Sequence, residues 1–338
     1  MTKLKFAAIA LASSAFALMA ACQDLPSTDG NDAVAQSEAA AASEATVTVA
    51  DAKTELARAL SAAAATQGPG SPAMWTIADE DTTLYLFGTV HLLKPETEWR
   101  TDRFNTAFAA SDKLVTEVDT ESPEGLAAIQ ALMAKRGLLT DGQTLTGILD
   151  DEQETQVADA LETVGLSLAA IDTMQPWFAG LSLSILQIQK SGYSPDSGVE
   201  TILAAEAKEA GMSFGYLETA EQQLDALAGG TLEEQIESLV FTAETLDLGT
   251  EVLGALVDEW ADGDLAGLGE IIADPSSIGG EDAYQRLLTD RNANWVPQIR
   301  AMLDAPGTVM IAVGAAHLAG PDSVVSMLQA EGVEVQPF

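Results

Sequence analysis

The sequence predicts an α/β domain: a mixed or largely parallel sheet with flanking helices and a large helical section. Two observations carry that prediction. Short apolar runs at 83–90, 113–118, 212–218, 308–315 and 333–338 alternate with longer segments of helical period, the order of strand–helix–strand units. The runs at 83–90 and 308–315 both lead into Gly-x-x-His, "GTVH" from Gly88 to His91 and "GAAH" from Gly314 to His317. These are the only two histidines in the chain, and each is followed by Leu and then Pro. The repetition of strand, corner and loop points to an internal duplication around two strand ends.

The elements follow in chain order. Lys3 and Lys5 precede an apolar stretch from Phe6 to Ala21, short for a membrane span but suited to a secretory signal. It closes on small residues directly before Cys22, the only cysteine, and resembles a lipobox with Met19 where Leu is usual. The expectation is a signal peptide over 1–21 and a lipidated Cys22. The protein is then exported to the periplasmic side of a bacterial membrane and touches that membrane through the lipid alone; without lipidation it is periplasmic. A single cysteine excludes an internal disulfide. Residues 22–72 are rich in Ala, Ser, Thr, Asp and Glu and end in "TQGPGSP", so they read as a flexible tether with a transient helix over 50–65. The ordered domain then spans 73–338, with a helical insertion over roughly 122–304.

Within the domain, "TLYLFGTV" is the first expected strand and "TVMIAVGA" the second last. Between strands, "RFNTAFAASD" carries apolar residues at 104, 107 and 108, and "DEQETQVADALETVG" at 157, 158, 160, 161 and 164. Pro176 suits the first turn of a helix that stops at Gly192, and "SGVETILAAEAKEAG" stops at Gly211. From Thr219 to Leu303 the pattern is almost wholly helical, with breaks at Gly229, Gly249, Gly263 and "DPSSIGG". Trp75, Trp99, Trp177 and Trp295 read as core anchors.

Charge narrows the partners. The chain has 15 basic against 52 acidic residues, a formal net of −37, and loses two more positive charges with the leader. Such a surface repels nucleic-acid phosphates and anionic headgroups. The acids are spread along the helices, as on a solvated face.

Chemistry gathers at the two corners. In open α/β sheets ligands collect beyond the carboxyl ends of strands, where His91 and His317 both fall. A glycine just before each strand end permits a tight turn or close backbone approach. Glu117 lies in the apolar run "KLVTEV", where an unpaired charge is costly, so it wants a cation, an arginine or a proton. Asp119 shares its face and falls beyond the strand, in solvent. Two histidines and one carboxylate match a catalytic zinc site, or the facial triad that other divalent metals accept. Such a metal lowers the pKa of bound water. The rival is a metal-free site with one histidine as base and Glu117 orienting it. Arg291, a scarce cation in "TDRNANW", offers a fork for a substrate carboxylate or the anion of a tetrahedral intermediate. Glu218, at a strand end in "YLET", can reach the same crevice.

The segments "WTIADEDTTLYLFGTVHLLKP", "ASDKLVTEVDT", "QPWFAGLSL", "GVETILAAEAKEAGMSFGYLET", "LLTDRNANWVPQI" and "IAVGAAHLAGPDSVVSMLQAEGVEV" together resemble the TraB/PrgY/GumN family, to which the Tiki metalloproteases are related. The resemblance covers roughly Met74 to Phe338. It implies a core related to the erythromycin esterase and ChaN-like proteins, and divalent-metal-dependent peptide hydrolysis. His91 and His317 match the family's two GxxH histidines, Glu117 its strand glutamate, and Arg291 with Asn292 the "RN" lining its pocket. One departure is "GVE" at 198–200, where many relatives read GVD. The leading expectation is therefore an exported hydrolase of a peptide or small acyl substrate. His91, Glu117 and His317 would hold manganese, cobalt or zinc, Arg291 would act in catalysis, and Asn292 and Glu218 would bind substrate. The alternatives are a non-catalytic metal-, haem- or peptide-binding lipoprotein, and a metal-free esterase.

Overall fold

The computed structural model describes residues 49–272 and 281–338, so the leader, Cys22 and the break at 274–280 lie outside the described residues. Six strands, β1 (Met74–Ala78), β2 (Thr82–Thr89), β3 (Lys113–Thr116), β4 (Ser213–Tyr216), β5 (Gly307–Gly314) and β6 (Gln336–Pro337), form one sheet in the order β4-β3-β5-β2-β1-β6. Strands β4, β3, β5 and β2 run parallel; β1 is antiparallel to both of its neighbours. The sheet is mixed and mostly parallel, as the alternation of elements predicts.

The central strands owe their place to continuous apolar sequence. Leu84, Leu86 and Phe87 of β2, and Met310, Ile311, Ala312 and Val313 of β5, are at most 1% exposed. A strand covered on both faces needs such a run rather than strict alternation. Successive residues divide between two cores. Leu86, Ile311 and Val313 pack with Trp295, Ile299 and Leu328 on one face, and Phe87, Met310 and Ala312 pack with Phe104, Leu203 and Trp260 on the other. The register sets Thr82 opposite Gly307 and Thr89 opposite Gly314, so both Gly-x-x-His corners leave the sheet at the same end, side by side.

Helices α1 (Val49–Ala63), α2 (Asp102–Ala110), α3 (Pro123–Arg136), α4 (Asp151–Val164), α5 (Pro176–Lys190) and α6 (Val199–Ala210) precede β4. After it come α7 (Ala220–Leu227), α8 (Leu232–Glu244), α9 (Leu246–Asp262), α10 (Leu265–Ile272), α11 (Asp290–Ala301) and α12 (Val324–Ala330). Gly263 ends α9 in the left-handed conformation, φ 74°, as a helix-stopping glycine should. Gly249 does not break the chain: it lies inside α9, and the interruption falls at Thr245, whose N–H bonds back to Phe241. An interior glycine costs a helix only about 1 kcal/mol, which packing offsets.

Three further features differ from the sequence reading. Strand β1 was not anticipated, so His91 follows the second strand, not the first. Its short hairpin closes because Asp79 Oδ1 accepts from the N–H groups of Asp81 and Thr82. Strand β6 is two residues long rather than six. The third difference is the end of the expected tether. Leu56, Ala59 and Ala63 of α1 are buried, and Leu56 and Ala63 share a cluster with Val252 and Ile271. The following segment is pinned to the end of α9: Gly68 N–H donates to Asp262 Oδ2 at 2.6 Å, and Gly70 and Ser71 N–H donate to its carbonyl. A Cβ at Gly68 would lie 2.2 Å from that carbonyl oxygen, so only glycine fits. The stripe at 56, 59 and 63 has helical period, and it finds an apolar partner here.

Candidate active site

Each parallel strand delivers one ionisable group just past its carboxyl end. Following β4, β3, β5 and β2 across the sheet, these are Glu218, Glu117, His317 and His91. The turn glycines allow close approach rather than unusual torsion. Gly314 N–H donates to Glu117 Oε1 at 2.8 Å, and a Cβ there would come within 3.1 Å of that oxygen. At Gly88 a Cβ would press on Ala315 Cα at 3.1 Å.

Helix α11 supplies the fifth group. A π-helical turn, Gln285–Thr289, widens the chain immediately before it, a device common at functional sites. Arg291 then enters the space between the strand ends. Its Nη2 donates to Glu117 Oε2 at 2.5 Å and to Glu218 Oε1 at 2.7 Å. Its Nε donates to Glu218 Oε2 at 3.0 Å. Its Nη1 donates to the Leu287 carbonyl at 3.2 Å and faces His317 Nε2 at 3.0 Å. A guanidinium has five N–H protons, and these contacts use all five. The fork expected to grip a substrate anion therefore has no proton left for one. Trp295 donates its indole N–H to Glu218 Oε2 at 3.2 Å and packs on the His317 ring, centroids 4.3 Å apart. It is a wall of the site as well as a core anchor.

The tautomer of His317 follows from its neighbours. Asn292 Nδ2 donates to the Asp322 carbonyl, which turns the amide oxygen toward His317 Nδ1 at 2.6 Å. Nδ1 thus carries the hydrogen, and Nε2 accepts from Arg291, which can only donate. Burial first, and then the Arg291 charge, hold the His317 pKa down to about 3, so the ring is neutral at neutral pH. Burial opposes the charge of Glu117, but Arg291, the two histidines and the Gly314 N–H outweigh it and hold this carboxyl well below the usual range. For Glu218 burial prevails over the same arginine and raises the pKa. Two carboxylates that share one cation are thereby driven apart in acidity.

His91 stands beside this network with a different partner. Its Nδ1 lies 2.9 Å from Glu200 Oε1, which also accepts the Thr89 hydroxyl. His91 Nε2 and Glu200 Oε2 are buried without a hydrogen-bond partner among the described residues. Burial disfavours the imidazolium, yet the Glu200 carboxylate outweighs burial and the pKa is raised. Helix α6 brings Glu200 in with its first turn. Gly198, which caps it, lies so close that a Cβ would meet the His91 carbonyl oxygen at 2.2 Å.

The sequence-derived set thus divides. Glu117, Glu218, Arg291, Asn292 and His317 meet in one hydrogen-bonded network, while His91, past the neighbouring strand β2, pairs with Glu200 of helix α6. The fit of a metal to His91, Glu117 and His317 can be judged from the donor atoms. Both Glu117 oxygens and His317 Nε2 already accept N–H donors, and the cation at their convergence is the guanidinium. As placed, these three do not fit a metal ion. Among the described residues, no group of three or more His, Cys, Asp or Glu side chains is placed to hold one. Asp119 is not a free solvent-facing acid: it closes the turn into α3 by accepting from the Glu121 and Ser122 N–H groups. Sequence reasoning missed Glu200, which stands in the "GVE" noted only as a family departure. It also missed Gln223, whose Nε2 donates to Glu117 Oε2 at 3.3 Å. Beyond β3 and β4 a cleft of about 430 Å³ opens, lined by Asp119, Tyr216, Glu218, Thr219, Gln222 and Gln298 among others.

Comparison with known proteins gives a family. A sequence model described as "TraB/PrgY/gumN family" matches residues 73–337. The chain is 24% identical over 252 residues to "Uncharacterized protein YbaP" of Escherichia coli (strain K12), covering 72% of this chain and 87% of that protein. The same values hold for the protein of that name from Shigella flexneri. No solved structure matches the chain significantly.

Proposed function

Because the chain belongs to the TraB/PrgY/gumN family, we propose that it hydrolyses peptide or related acyl bonds at the carboxyl end of its sheet, with His91 as general base. One observation carries this reading: His91 Nδ1 is held by Glu200 at 2.9 Å while Nε2 is buried and unpartnered. A base oriented by a carboxylate, with its second nitrogen available, is the arrangement that activates a hydroxyl or water for attack on a carbonyl. In the resting state Nδ1–H faces Glu200 and Nε2 offers a lone pair. When Nε2 takes the proton of the attacking water, Glu200 stabilises the imidazolium. Arg291 acts as a positioning residue, since its protons fix Glu117, Glu218 and His317 rather than a substrate.

A second reading keeps the divalent metal, manganese, cobalt or zinc. It is favoured by the same two orphaned atoms, His91 Nε2 and Glu200 Oε2, which are of ligand type. Two protein ligands fall short of the three usual in a catalytic zinc site. Protein purified without a histidine tag, analysed for bound metal and assayed on blocked peptides with and without chelator, separates the readings. Turnover that survives chelation is expected. One metal per chain with chelator-sensitive turnover would transfer the case to the second reading, and no turnover across amide and ester panels would sink both.

The same proposal places the protein outside the cytoplasm, anchored through a lipid on Cys22, a reading supported by the leader pattern. No helix among the described residues is long and apolar enough to cross a membrane. Replacing Cys22→Ala should move the protein from the membrane pellet to the soluble fraction. Unchanged fractionation would remove the anchor from the proposal.

A further inference from the structure

Gln223 has no role in the chemistry described so far, yet it is among the most buried polar side chains, 1% exposed. It projects from α7, a helix fixed at its start by a capping box between Thr219 and Gln222. The direction of its amide is settled chemically. Nε2 donates to Glu117 Oε2, and an ionised carboxylate can only accept, so the amide oxygen points the other way. That oxygen, Gln223 Oε1, has no partner among the described residues. Together with His91 Nε2 and Glu200 Oε2 it makes a third bare acceptor around this centre, where a buried acceptor without a donor is costly. Gln222, the preceding residue of the same helix, and Glu218 of the network line the cleft beyond β3 and β4, which gives room for the remainder of a ligand.

We propose that Gln223 is the specificity-determining residue of the centre: its Oε1 accepts a substrate N–H, so the site distinguishes an amide from an ester of the same acyl group. This rests on the hydrolase reading and deepens it. His91 Nε2 is needed for the proton of the attacking water, and Glu200 serves His91. Gln223 Oε1 is the acceptor left over at Glu117, and a donor brought by the substrate would satisfy it. An amide nitrogen supplies one. An ester oxygen in the same place would set lone pair against lone pair, and sites built around a required hydrogen bond reject the analogue that lacks it.

The test compares N-acetyl-alanyl-alanine methylamide with its depsipeptide counterpart, in which the central N–H is replaced by oxygen. Affinity is followed by calorimetry and turnover by product formation. The unaltered protein should bind the amide about 10- to 100-fold more tightly, read as a ratio of Kd values. In Gln223→Met, and in Gln223→Leu should the first fold poorly, the ratio should fall to near one, whatever common change both ligands suffer from losing the contact with Glu117. A merely structural role for Gln223 would lower both ligands alike and leave the ratio intact, which would overturn the proposal. So would an unaltered protein that binds the two equally or binds neither. If the amide preference appears in binding and vanishes in the variant while nothing is turned over, Gln223 keeps its role and the hydrolase reading falls.

Discussion

Arg291→Met should destabilise the fold by about 3–5 kcal/mol, the loss usual when one partner is removed from a buried ion pair and leaves its charge uncompensated. Glu117 and Glu218 are each less than a tenth exposed and would then face one another across the vacated space. His317 Nε2 would also lose its donor. Urea denaturation measures the loss. Arg291→Lys should recover only part of it, because an ammonium has three protons where the fork uses five. Adding Glu117→Gln to Arg291→Met should restore stability relative to the single variant, and a double-mutant cycle reads that coupling. The exposed pair of Arg300 with Glu331 is the control: Arg300→Met should change stability by no more than about 1 kcal/mol. An Arg291→Met protein as stable as the parent would contradict the network.

The two histidines, near twins in sequence, should give opposite phenotypes. His91 lies at the rim with its side chain 15% exposed, and its loss leaves Glu200 still bonded to Thr89. His91→Ala should therefore shift stability by about 1 kcal/mol or less and lower turnover by about 10²- to 10⁴-fold, the usual contribution of a general base. His317 is 2% exposed, packed at a tilt against Trp295 and bonded at both nitrogens. His317→Ala should cost about 2–4 kcal/mol through the cavity and the stranded partners. Denaturation curves for both variants, with turnover of His91→Ala, check the split. Unfolding of His91→Ala beside a stable His317→Ala would reverse the assignment of base and buttress.

What was legible in the sequence depended on how local the cause was. The corners at Gly88–His91 and Gly314–His317 could be placed because a continuous apolar run, a glycine and a polar side chain follow one another within a few residues. Glu117 could be flagged because a charge in an apolar strand demands a partner, and the partner proved to be the arginine on the list of possibilities. The identity of that partner was not legible. Arg291 is 174 positions away, and only the packing of α11 across the strand ends spends its five protons internally. Glu200 escaped for a related reason: an acid in the first turn of a helix is what the helix dipole favours anyway, so it carried no signal. Gln223 was hidden by amphipathicity, since a polar residue beside a cap reads as solvent-facing. Strand β1 was lost because five residues give too little alternation, and α1 because its apolar stripe has meaning only against Val252 and Ile271.

The pinned segment before β1 has a mechanical consequence. Gly68, Gly70 and Ser71 hang on Asp262, and two residues earlier Trp260 Nε1 holds the Gly88 carbonyl at 2.8 Å. Tension applied to the N-terminal end of the body would therefore pass through the end of α9 to the base of the His91 corner. The part of the molecule that performs the proposed chemistry is also among the first to bear a load.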